Sequence, residues 1–311
     1  MHVKLMQWLG SKYRLLPQFL TMISGCKEYF ELFIGAGSVF LNKPKSKIEV
    51  INDKDFGIST LWKVLGTEKL SDEFYKKFMQ LEVRKDIFDF FVKQSRLSFP
   101  NMSEVDIAVA VYYITQFAFD GNRKNMRFAS KPDEWNNMEI SVKNELKYHW
   151  NDIKEKARGA IVLNADALDV LEKIKNRKDA TILLDPPYLA ELLGGNKNLY
   201  NVEFSVEEQI RMLECVQNAK SKIVLCGYRG GSYLYDRYLN SDKGWHCYLV
   251  DDRLTKACKT GDIKGFAEEY VWTNFEIPQG ARFVMDITDW ALSQEEADTL
   301  YEHWKRGIRV S

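Results

Sequence analysis

The chain has 311 residues, of which 45% are hydrophobic, so it can bury the core of one large domain or of one domain with an insertion. It carries 44 lysines and arginines and 44 aspartates and glutamates, and this balance neither supports nor excludes nucleic acid as a partner. No apolar run approaches the roughly 20 residues that span a bilayer. The N-terminus also lacks the apolar stretch of a signal peptide, so we expect a cytoplasmic protein with no membrane partner.

Seven segments rich in branched and aromatic residues predict short strands, and helical patterns follow most of them. In the helix predicted over residues 205–219, Ser205 is a typical N-cap and Glu208 completes a capping box. Strands that alternate with helices favour a doubly wound, Rossmann-like α/β sheet of mostly parallel strands. The charged stretch 251–265 predicts a hairpin-like link, which makes the last strand antiparallel. The predicted strands lie near residues 28–34, 48–52, 160–164, 181–184, 222–226, 245–250 and 269–274.

The stretch between the second and third predicted strands is too long for a loop. It contains helical periods, for example within residues 105–119, so we expect a mainly helical inserted subdomain. Alanine, leucine, tyrosine and tryptophan at helical spacing predict an amphipathic helix within residues 293–309 that covers the core or binds a partner. The predicted organisation is a main domain of residues 1–65 and 149–275, an insertion of residues 66–148 and a C-terminal extension of residues 276–311.

A glycine turn follows the first predicted strand, with Gly35 and Gly37 in the sequence between strand and helix. Glycines at such a turn let a ligand approach the backbone. The third glycine of the dinucleotide fingerprint is replaced by Phe40, and a tight turn without a ligand is the alternative interpretation. Asp53 follows the next strand, where an acid either accepts hydrogen bonds from ribose hydroxyls or caps a helix.

Two more acids follow later strands. Asp166 either lines the same crevice at the carboxyl ends of the strands or caps the following helix. Asp185 opens an Asp-Pro-Pro-Tyr turn, in which Pro186 and Pro187 remove two backbone donors. We expect the carbonyls of this turn to have no partner within the chain. Tyr188 offers a flat platform for an extruded base, and a rigid loop with a surface tyrosine is the alternative.

These motifs resemble the Dam-like, or D12-class, N6-adenine DNA methyltransferases, whose Asp-Pro-Pro-Tyr motif matches residues 185–188. The resemblance covers nearly the whole chain. The order of glycine turn, insertion and Asp-Pro-Pro-Tyr is the family's α arrangement. Further matches are Trp-Leu-Gly-Ser-Lys at 8–12, Phe-x-Gly-x-Gly-Ser-Val-Phe-Leu at 33–41, Asn-Asp at 52–53, Ala-Asp at 165–166 and Glu-x-x-Trp-x-Asn at 269–274.

The resemblance implies transfer of a methyl group from S-adenosylmethionine to N6 of a flipped-out adenine, without a metal. It implies that Lys12 lies near the methionine carboxylate of the donor and that Asp53 binds its ribose. If Asp185 and the Pro186 carbonyl each accept one N6 hydrogen, the N6 lone pair turns toward the methyl group. We expect Asp185 to orient the amine more than to deprotonate it. We expect the glycine turn and the Asp-Pro-Pro-Tyr turn to face one cleft. The implied catalytic residues are Asp185, Pro186, Pro187 and Tyr188, and the implied donor-binding residues are Trp8, Gly10, Lys12, Glu31, Phe33, Gly35, Gly37, Ser38, Asp53, Asp166, Ala167 and Asp185.

Double-stranded DNA is the implied partner, with residues 66–148 as the target-recognition subdomain and restriction-modification as one context. Basic and amide side chains in residues 117–128 suit phosphate and base-edge contacts, and a solvated loop is the alternative interpretation. Gln7 stands where many Dam-type members have a lysine that touches the target, so GATC specificity is not implied. The sequence does not indicate an oligomeric state. The candidate DNA-binding residues are Asn122, Arg123, Lys124 and Arg127.

Other interpretations remain open on the sequence alone. The five cysteines and four histidines are scattered, which predicts free thiols and no metal. A methyltransferase of the same fold could act on RNA or on a glutamine side chain, since the Asp-Pro-Pro-Tyr turn suits any planar amine. A nucleic-acid-binding protein that has lost catalysis is another alternative. A nicotinamide dehydrogenase is disfavoured because no catalytic histidine or tyrosine-lysine pair accompanies the glycine turn.

Overall fold

The structure is a computed structural model, and it describes residues 2–8, 10–118, 128, 134–188, 204–227, 234–251, 269–278, 285–288 and 293–306. The described residues form two compact units, the first from residues 2–14 and 34–166 and the second from residues 15–33 and from residue 167 onward. Among the described helices, none combines the length and the apolar character needed to traverse a lipid bilayer.

The sheet confirms the predicted α/β class. The described residues form eight strands: β1 (Glu28–Glu31), β2 (Ile48–Asn52), β3 (Ile161–Leu163), β4 (Ala180–Leu184), β5 (Lys222–Gly227), β6 (His246–Asp251), β7 (Glu269–Thr273) and β8 (Met285–Asp286). Their order is β3-β2-β1-β4-β5-β7-β6-β8. In the first unit β2 and β3 are parallel, and in the second unit β1, β4 and β5 are parallel.

The far edge of the sheet differs in one respect from the prediction. β7 runs antiparallel to β5 and β6, as the sequence predicted for the last strand. A further strand, β8, pairs antiparallel with β6, so the described sheet has eight strands rather than seven and two antiparallel strands rather than one. β8 contains two residues, which is too short for the alternation that identifies a strand in a sequence.

The helices of the described residues are α1 (Leu16–Met22), α2 (Ser38–Asn42), α3 (Phe56–Gly66), α4 (Glu68–Gln80), α5 (Lys85–Arg96), α6 (Glu104–Phe117), α7 (Trp135–Ala157), α8 (Ala167–Ile174), α9 (Val206–Gln217), α10 (Leu234–Tyr238) and α11 (Gln294–Lys305). Helices α3, α6 and α9 begin directly after a residue whose side chain caps them. The predicted capping box of α9 is confirmed: the Ser205 hydroxyl accepts from the Glu208 N–H at 3.2 Å, and Glu208 accepts from the Ser205 N–H at 2.8 Å. The Asp55 carboxylate caps α3 with a single bond, accepted from the Ile58 N–H at 3.1 Å.

Most of the described residues between 66 and 148 lie in helices α4, α5 and α6 and in the first part of α7. Every residue of α6 from Ile107 to Phe117 is buried, as expected for a helix surrounded by others. It packs on α3, α4 and α5, and the Tyr112 ring contacts Phe74 and Phe78. Helix α7 continues past residue 148 to Ala157. The boundaries of the inserted subdomain stay a prediction.

The predicted C-terminal helix is present as α11 and packs on α10 in the second unit. Ala297 and Tyr301 are buried. The Arg237 guanidinium of α10 lies 4.7 Å from the centre of the Tyr301 ring and 2.5 Å from a carboxylate oxygen of Asp298. Of the two roles predicted for this helix, the structure therefore shows a packing role within the second unit.

Candidate active site

The glycine turn of the first unit leads directly into α2. The Gly37 N–H donates to the Ile34 carbonyl at 2.7 Å, and Gly37 has a φ of +62°, which favours glycine. A Cβ at Gly37 would overlap the Trp62 ring, and a Cβ at Gly35 would lie 2.7 Å from the Trp8 indole nitrogen. The Trp62 indole also donates to the Gly35 carbonyl at 3.0 Å. Both glycines therefore permit a close approach, here by tryptophan rings of the chain itself.

Asp53 is fixed at the end of β2 by backbone donors. Its two carboxylate oxygens accept from the Gly35 N–H at 3.0 Å and from the Asp55 N–H at 2.9 Å. The Ile34 N–H donates to the Asn52 carbonyl at 2.9 Å, which ties the glycine turn to the same strand end. The Asp53 carboxylate is thereby oriented by the backbone of the turn that precedes α2.

The carboxyl ends of β2 and β3 are locked together by asparagine side chains. The Asn52 amide both donates to the Ala165 carbonyl at 3.1 Å and accepts from the Ala165 N–H at 3.0 Å. The Asn164 amide donates to the Lys54 carbonyl at 3.1 Å, and the Lys54 ammonium pairs with Asp166 at 2.9 Å. Parallel neighbouring strands end at one edge of a sheet, so Asp53 and Asp166 belong to the same edge of the first unit.

The N-terminal segment meets the glycine turn within the first unit. Lys12 is only 5% exposed, and its ammonium donates to the Gly10 carbonyl at 3.1 Å. The Ser11 and Ser38 hydroxyls lie 2.8 Å apart, and Trp8 contacts the glycine turn as described above. The predicted donor-binding residues that the first unit contains are Trp8, Gly10, Lys12, Gly35, Gly37, Ser38, Asp53 and Asp166.

The remaining predicted donor-binding residues belong to the second unit. Glu31 is buried in β1 and accepts from the Tyr29 hydroxyl at 2.7 Å. Phe33 is half-buried, with its ring 5.5 Å from that of Phe204 in an edge-to-face contact. Ala167 is the buried first residue of α8. Asp185, which is predicted both for donor binding and for catalysis, also lies in this unit.

The Asp-Pro-Pro-Tyr turn follows β4, and its tyrosine links two carboxylates. The Tyr188 hydroxyl lies 3.1 Å from an oxygen of Asp185 and 3.1 Å from an oxygen of Glu269, and a hydroxyl can donate its one proton to one of them at a time. Tyr188 is 7% exposed, so most of its ring is covered in this structure. The possible ligand atoms of Asp185, Cys226 and Glu269 lie within 4.8 Å of one another.

The expectation that the carbonyls of this turn have no partner is wrong for the second proline, Pro187. Its carbonyl was predicted to have no partner in the chain, but the Pro187 carbonyl accepts from the Gln209 side-chain amide at 3.0 Å. The carbonyl oxygen of Gln209 in turn accepts from the Tyr235 hydroxyl at 2.6 Å. Burial raises the pKa of Tyr235 well above its usual value, and the neighbouring Cys226 and Asp185 act in the same direction. The tyrosine therefore stays protonated.

The matched Glu-x-x-Trp-x-Asn segment on β7 has a defined contact for each of its three residues. Glu269 bonds to the Tyr188 hydroxyl. The Trp272 ring lies 4.7 Å from that of Tyr235. The Asn274 amide donates to the Ala219 and Ser221 carbonyls before β5 and accepts from the Ile223 N–H of β5. Of the three residues, Glu269 contacts the Asp-Pro-Pro-Tyr turn directly.

The candidate DNA-binding residues Asn122, Arg123, Lys124 and Arg127 lie outside the described residues. The residues on either side of this stretch are described. Ala118 and Phe128 form an antiparallel bridge, and the Phe128 ring lies 5.0 Å from Phe88 and 5.2 Å from Trp135. Both ends of residues 119–127 are therefore attached to the helices of the first unit.

Sequence reasoning missed several side chains that shape these turns, namely Trp62, Gln209 and Tyr235. Each makes its contact with a residue more than twenty positions away in the chain, so no local pattern indicates it. Glu269 was noticed as part of a matched segment, without a role. The contacts of Gly35 with Trp8 and of Gly37 with Trp62 appear only in the folded structure.

The mostly parallel sheet, with an acid after β2, β3 and β4, matches the architecture of a Rossmann-like methyltransferase. The family model of the D12 class N6 adenine-specific DNA methyltransferases matches residues 8–241. The chain belongs to this family of DNA adenine methyltransferases, which confirms the resemblance seen in the sequence. Two proteins named DNA adenine methylase, from two strains of Vibrio cholerae serotype O1, are each 27% identical to it over 222 residues, covering 68% of this chain and 75% of each relative.

Proposed function

We propose that the chain transfers a methyl group from S-adenosylmethionine to N6 of an adenine that is turned out of duplex DNA. The observation that supports this most is the restrained Asp-Pro-Pro-Tyr turn, in which Asp185 bonds to Tyr188 at 3.1 Å and Pro187 bonds to Gln209 at 3.0 Å. A turn that offers a carboxylate and carbonyl oxygens suits a substrate with two N–H donors on one nitrogen. The exocyclic amine of adenine is such a group.

The proposed chemistry depends on the direction of the N6 lone pair. This lone pair is delocalised into the adenine ring, so the free amine is a weak nucleophile. The Asp185 carboxylate and the Pro186 carbonyl each accept one N6 hydrogen, which directs the lone pair out of the ring plane. S-adenosylmethionine supplies the electron-poor methyl group when it is bound. Orientation provides the main acceleration, and the proton that N6 gives up passes to solvent.

We propose that the donor binds in the first unit around Asp53 and Lys12, and the residues there fit it. Backbone N–H groups of Gly35 and Asp55 orient the Asp53 carboxylate. A carboxylate has about four acceptor sites, so it can also accept ribose hydroxyls. The Lys12 ammonium is buried and bonds to the Gly10 carbonyl. A buried cation is stabilised by an anion such as the methionine carboxylate.

The proposed DNA contacts rest on the sequence, because Asn122, Arg123, Lys124 and Arg127 lie outside the described residues. Basic side chains there would bind phosphates, and amides would bind base edges. The adenine must leave the base stack because its N6 is otherwise paired inside the duplex. We assign Tyr188 a role through its hydroxyl, which bonds to Asp185, rather than through an exposed ring.

Labelled methyl transfer to unmethylated duplex DNA, to structured RNA and to a glutamine-containing peptide tests the proposal. We expect label in DNA, recovered as N6-methyladenine after digestion. Label found only in RNA or only in the peptide would contradict DNA as the substrate. Donor binding without any transfer would favour the nucleic-acid-binding alternative. Sequencing the genome of a host that expresses the chain, with detection of N6-methyladenine, then gives the recognition site as a consensus motif.

The catalytic assignment is tested separately with Asp185→Ala. We expect this variant to lose methyl transfer and to keep its fold, because Asp185 is half-buried at the end of β4. Asp179→Ala is the matched control, since Asp179 is an exposed aspartate of the same unit that pairs with Lys27 at 2.9 Å. Turnover of Asp185→Ala at the wild-type rate would refute the assignment.

A further inference from the structure

Two hydrogen-bonded side chains, Gln209 and Tyr235, connect the Asp-Pro-Pro-Tyr turn to helices α9 and α10. Gln209 on α9 is 1% exposed and donates to the Pro187 carbonyl at 3.0 Å. Tyr235 on α10 is 3% exposed, and its hydroxyl lies 2.6 Å from the Gln209 side-chain oxygen. These contacts connect two helices to the turn, and neither Gln209 nor Tyr235 belongs to the catalytic residues proposed above.

The chemistry of the three groups fixes the orientation of each hydrogen bond. A proline carbonyl can only accept, so the NH₂ group of the Gln209 amide must face it. The amide oxygen then faces Tyr235, whose hydroxyl must donate. Burial raises the pKa of Tyr235, so this hydroxyl keeps its proton across the ordinary pH range. The amide of Gln209 has one satisfied orientation as a result.

The position of Tyr235 is itself fixed by its surroundings. Its ring lies 4.7 Å from the Trp272 ring of β7. Gly227 at the end of β5 leaves the necessary space, because a Cβ there would lie 2.9 Å from the Tyr235 ring. The hydroxyl therefore reaches Gln209 from a support built on two central strands of the second unit.

Between Asp185 and Tyr188, one backbone torsion is not restricted by the proline rings, namely ψ of Pro187. The hydrogen bond from Gln209 restrains it. The proline rings fix φ of Pro186 and of Pro187. Asp185 and Pro186 each precede a proline, which restricts their backbone to extended conformations. The torsion ψ of Pro187, which sets the direction of its carbonyl and of the Tyr188 peptide, has no such covalent restriction. The hydrogen bond from Gln209 holds this torsion.

We infer that Gln209 and Tyr235 are positioning residues for methyl transfer: they turn the Pro187 carbonyl toward α9 and fix the path of the chain from Asp185 to Tyr188. The inference rests on the proposed function. It also separates the roles of the two prolines. The Pro187 carbonyl is held by the protein, and the Pro186 carbonyl serves the substrate amine together with Asp185. The Tyr188 hydroxyl depends on the same torsion for its distance to Asp185.

Two variants test the inference in the full-length chain. Gln209→Leu keeps the approximate size of the side chain and removes both hydrogen bonds, and Tyr235→Phe removes only the hydroxyl. We expect kcat to fall about 10- to 100-fold in Gln209→Leu and about 3- to 10-fold in Tyr235→Phe, because misplacement of a reacting group slows chemistry. The KM values for donor and DNA should stay within about threefold of wild type, because neither residue is proposed to contact the donor or the DNA. The double variant should be no slower than Gln209→Leu, because both residues act through one contact.

Tyr248→Phe is the matched control, since Tyr248 is a buried tyrosine of the same unit whose hydroxyl accepts from the Ile277 N–H at 3.3 Å. It should lose a similar amount of thermal stability and keep its kcat. If Gln209→Leu does not fold, Tyr235→Phe decides the question. Variants with reduced stability but wild-type kcat, or a double variant whose losses multiply, would overturn the inference alone. A wild-type chain that methylates no DNA would overturn the proposed function and this inference with it.

Discussion

Asp53 and Asp185 both follow a parallel strand, and the protein holds them in different ways. Asp53 in the first unit accepts hydrogen bonds from two backbone N–H groups, those of Gly35 and Asp55. Asp185 in the second unit is followed by two prolines, which have no N–H to offer, and it bonds to the hydroxyl of Tyr188. One carboxylate is thus oriented by main chain and the other by a side chain.

This difference determines which residues each carboxylate depends on. The backbone donors around Asp53 are in place because glycines allow the turn its left-handed conformation. The Asp-Pro-Pro-Tyr turn instead needs polar side chains from distant elements, such as Gln209 on α9 and Glu269 on β7. Substitutions of the glycines in the turn before α2 should therefore act through backbone conformation. Substitutions of the side chains around the Asp-Pro-Pro-Tyr turn should act through single hydrogen bonds.

Gly37→Ala should break the backbone-held site and have the largest effect. A left-handed residue with a Cβ and an overlap with the Trp62 ring together cost about 3 to 4 kcal/mol of stability. Urea unfolding measures this loss. Gly159→Ala is the matched control, because Gly159 has a φ of +81° and open space around it, so it should lose only about 1 kcal/mol. Equal losses in the two variants would show that packing against Trp62 contributes nothing.

Lys156→Met should change how the stability of the first unit depends on pH. Burial lowers the pKa of Lys156 to about 8, with the Glu49 hydrogen bond opposing the shift and the Lys43 charge adding to it. Between pH 8 and the ordinary lysine value of 10.5, the unfolded chain binds more protons than the folded chain, so stability rises with pH. Urea unfolding between pH 7 and 10 should show a wild-type gain of roughly 2 to 3 kcal/mol relative to the variant. If the unfolding free energies of wild type and variant changed equally with pH, the lowered pKa of Lys156 would be contradicted.

Tyr188→Phe should weaken the side-chain-held site while leaving the first unit intact. The variant removes the hydroxyl shared by Asp185 and Glu269. A hydrogen bond to a charged group contributes about 1.5 to 3 kcal/mol, so we expect kcat to fall at least about tenfold. The KM for the donor should stay near the wild-type value, which steady-state kinetics can establish. A change confined to the donor KM would assign the tyrosine to donor binding instead.

Asp53→Asn should give the opposite kinetic pattern. The amide keeps the shape of the side chain but can no longer accept from both backbone donors of Gly35 and Asp55. It also loses the charge-assisted bonds proposed to the ribose, so we expect the donor KM to rise about tenfold. At saturating donor, kcat should remain within about threefold of wild type. A fall in kcat at unchanged donor KM would remove the contrast between the two aspartates.

The sequence predicted what depends on local pattern. The strands β2, β4 and β5 appear within a residue of their predicted bounds, because their apolar runs stand between clear turn signals. The meeting of the β2 and β3 ends was also predictable, since parallel neighbours end at the same edge. The side chains that lock these ends, Asn52 onto Ala165, were not singled out for this role.

Contacts that depend on tertiary packing were beyond local patterns. The sequence led us to expect that the Pro187 carbonyl had no partner, because no nearby residue can supply one. The donor is Gln209, whose side chain reaches the turn only once α9 has packed on the sheet. The same holds for Trp62 under the glycine turn, which a sequence presents simply as an apolar position of a helix. Fold class and strand ends were thus predictable, whereas the distant side chains that contact each turn, such as Gln209 and Trp62, were not.

Lys54→Ala should have the smallest effect of the series, although its ammonium pairs with a predicted site residue. Lys54 lies 2.9 Å from Asp166, and the side chains are 52% and 33% exposed. Water screens such a pair, so the variant should lose no more than about 0.5 kcal/mol of stability. Asp166 keeps its position because the Asn52 amide holds the neighbouring Ala165 from both sides. Asn52→Ala is the informative comparison: a larger loss of donor affinity in Asn52→Ala than in Lys54→Ala would show that backbone anchoring, rather than the ion pair, sets the position of this acid.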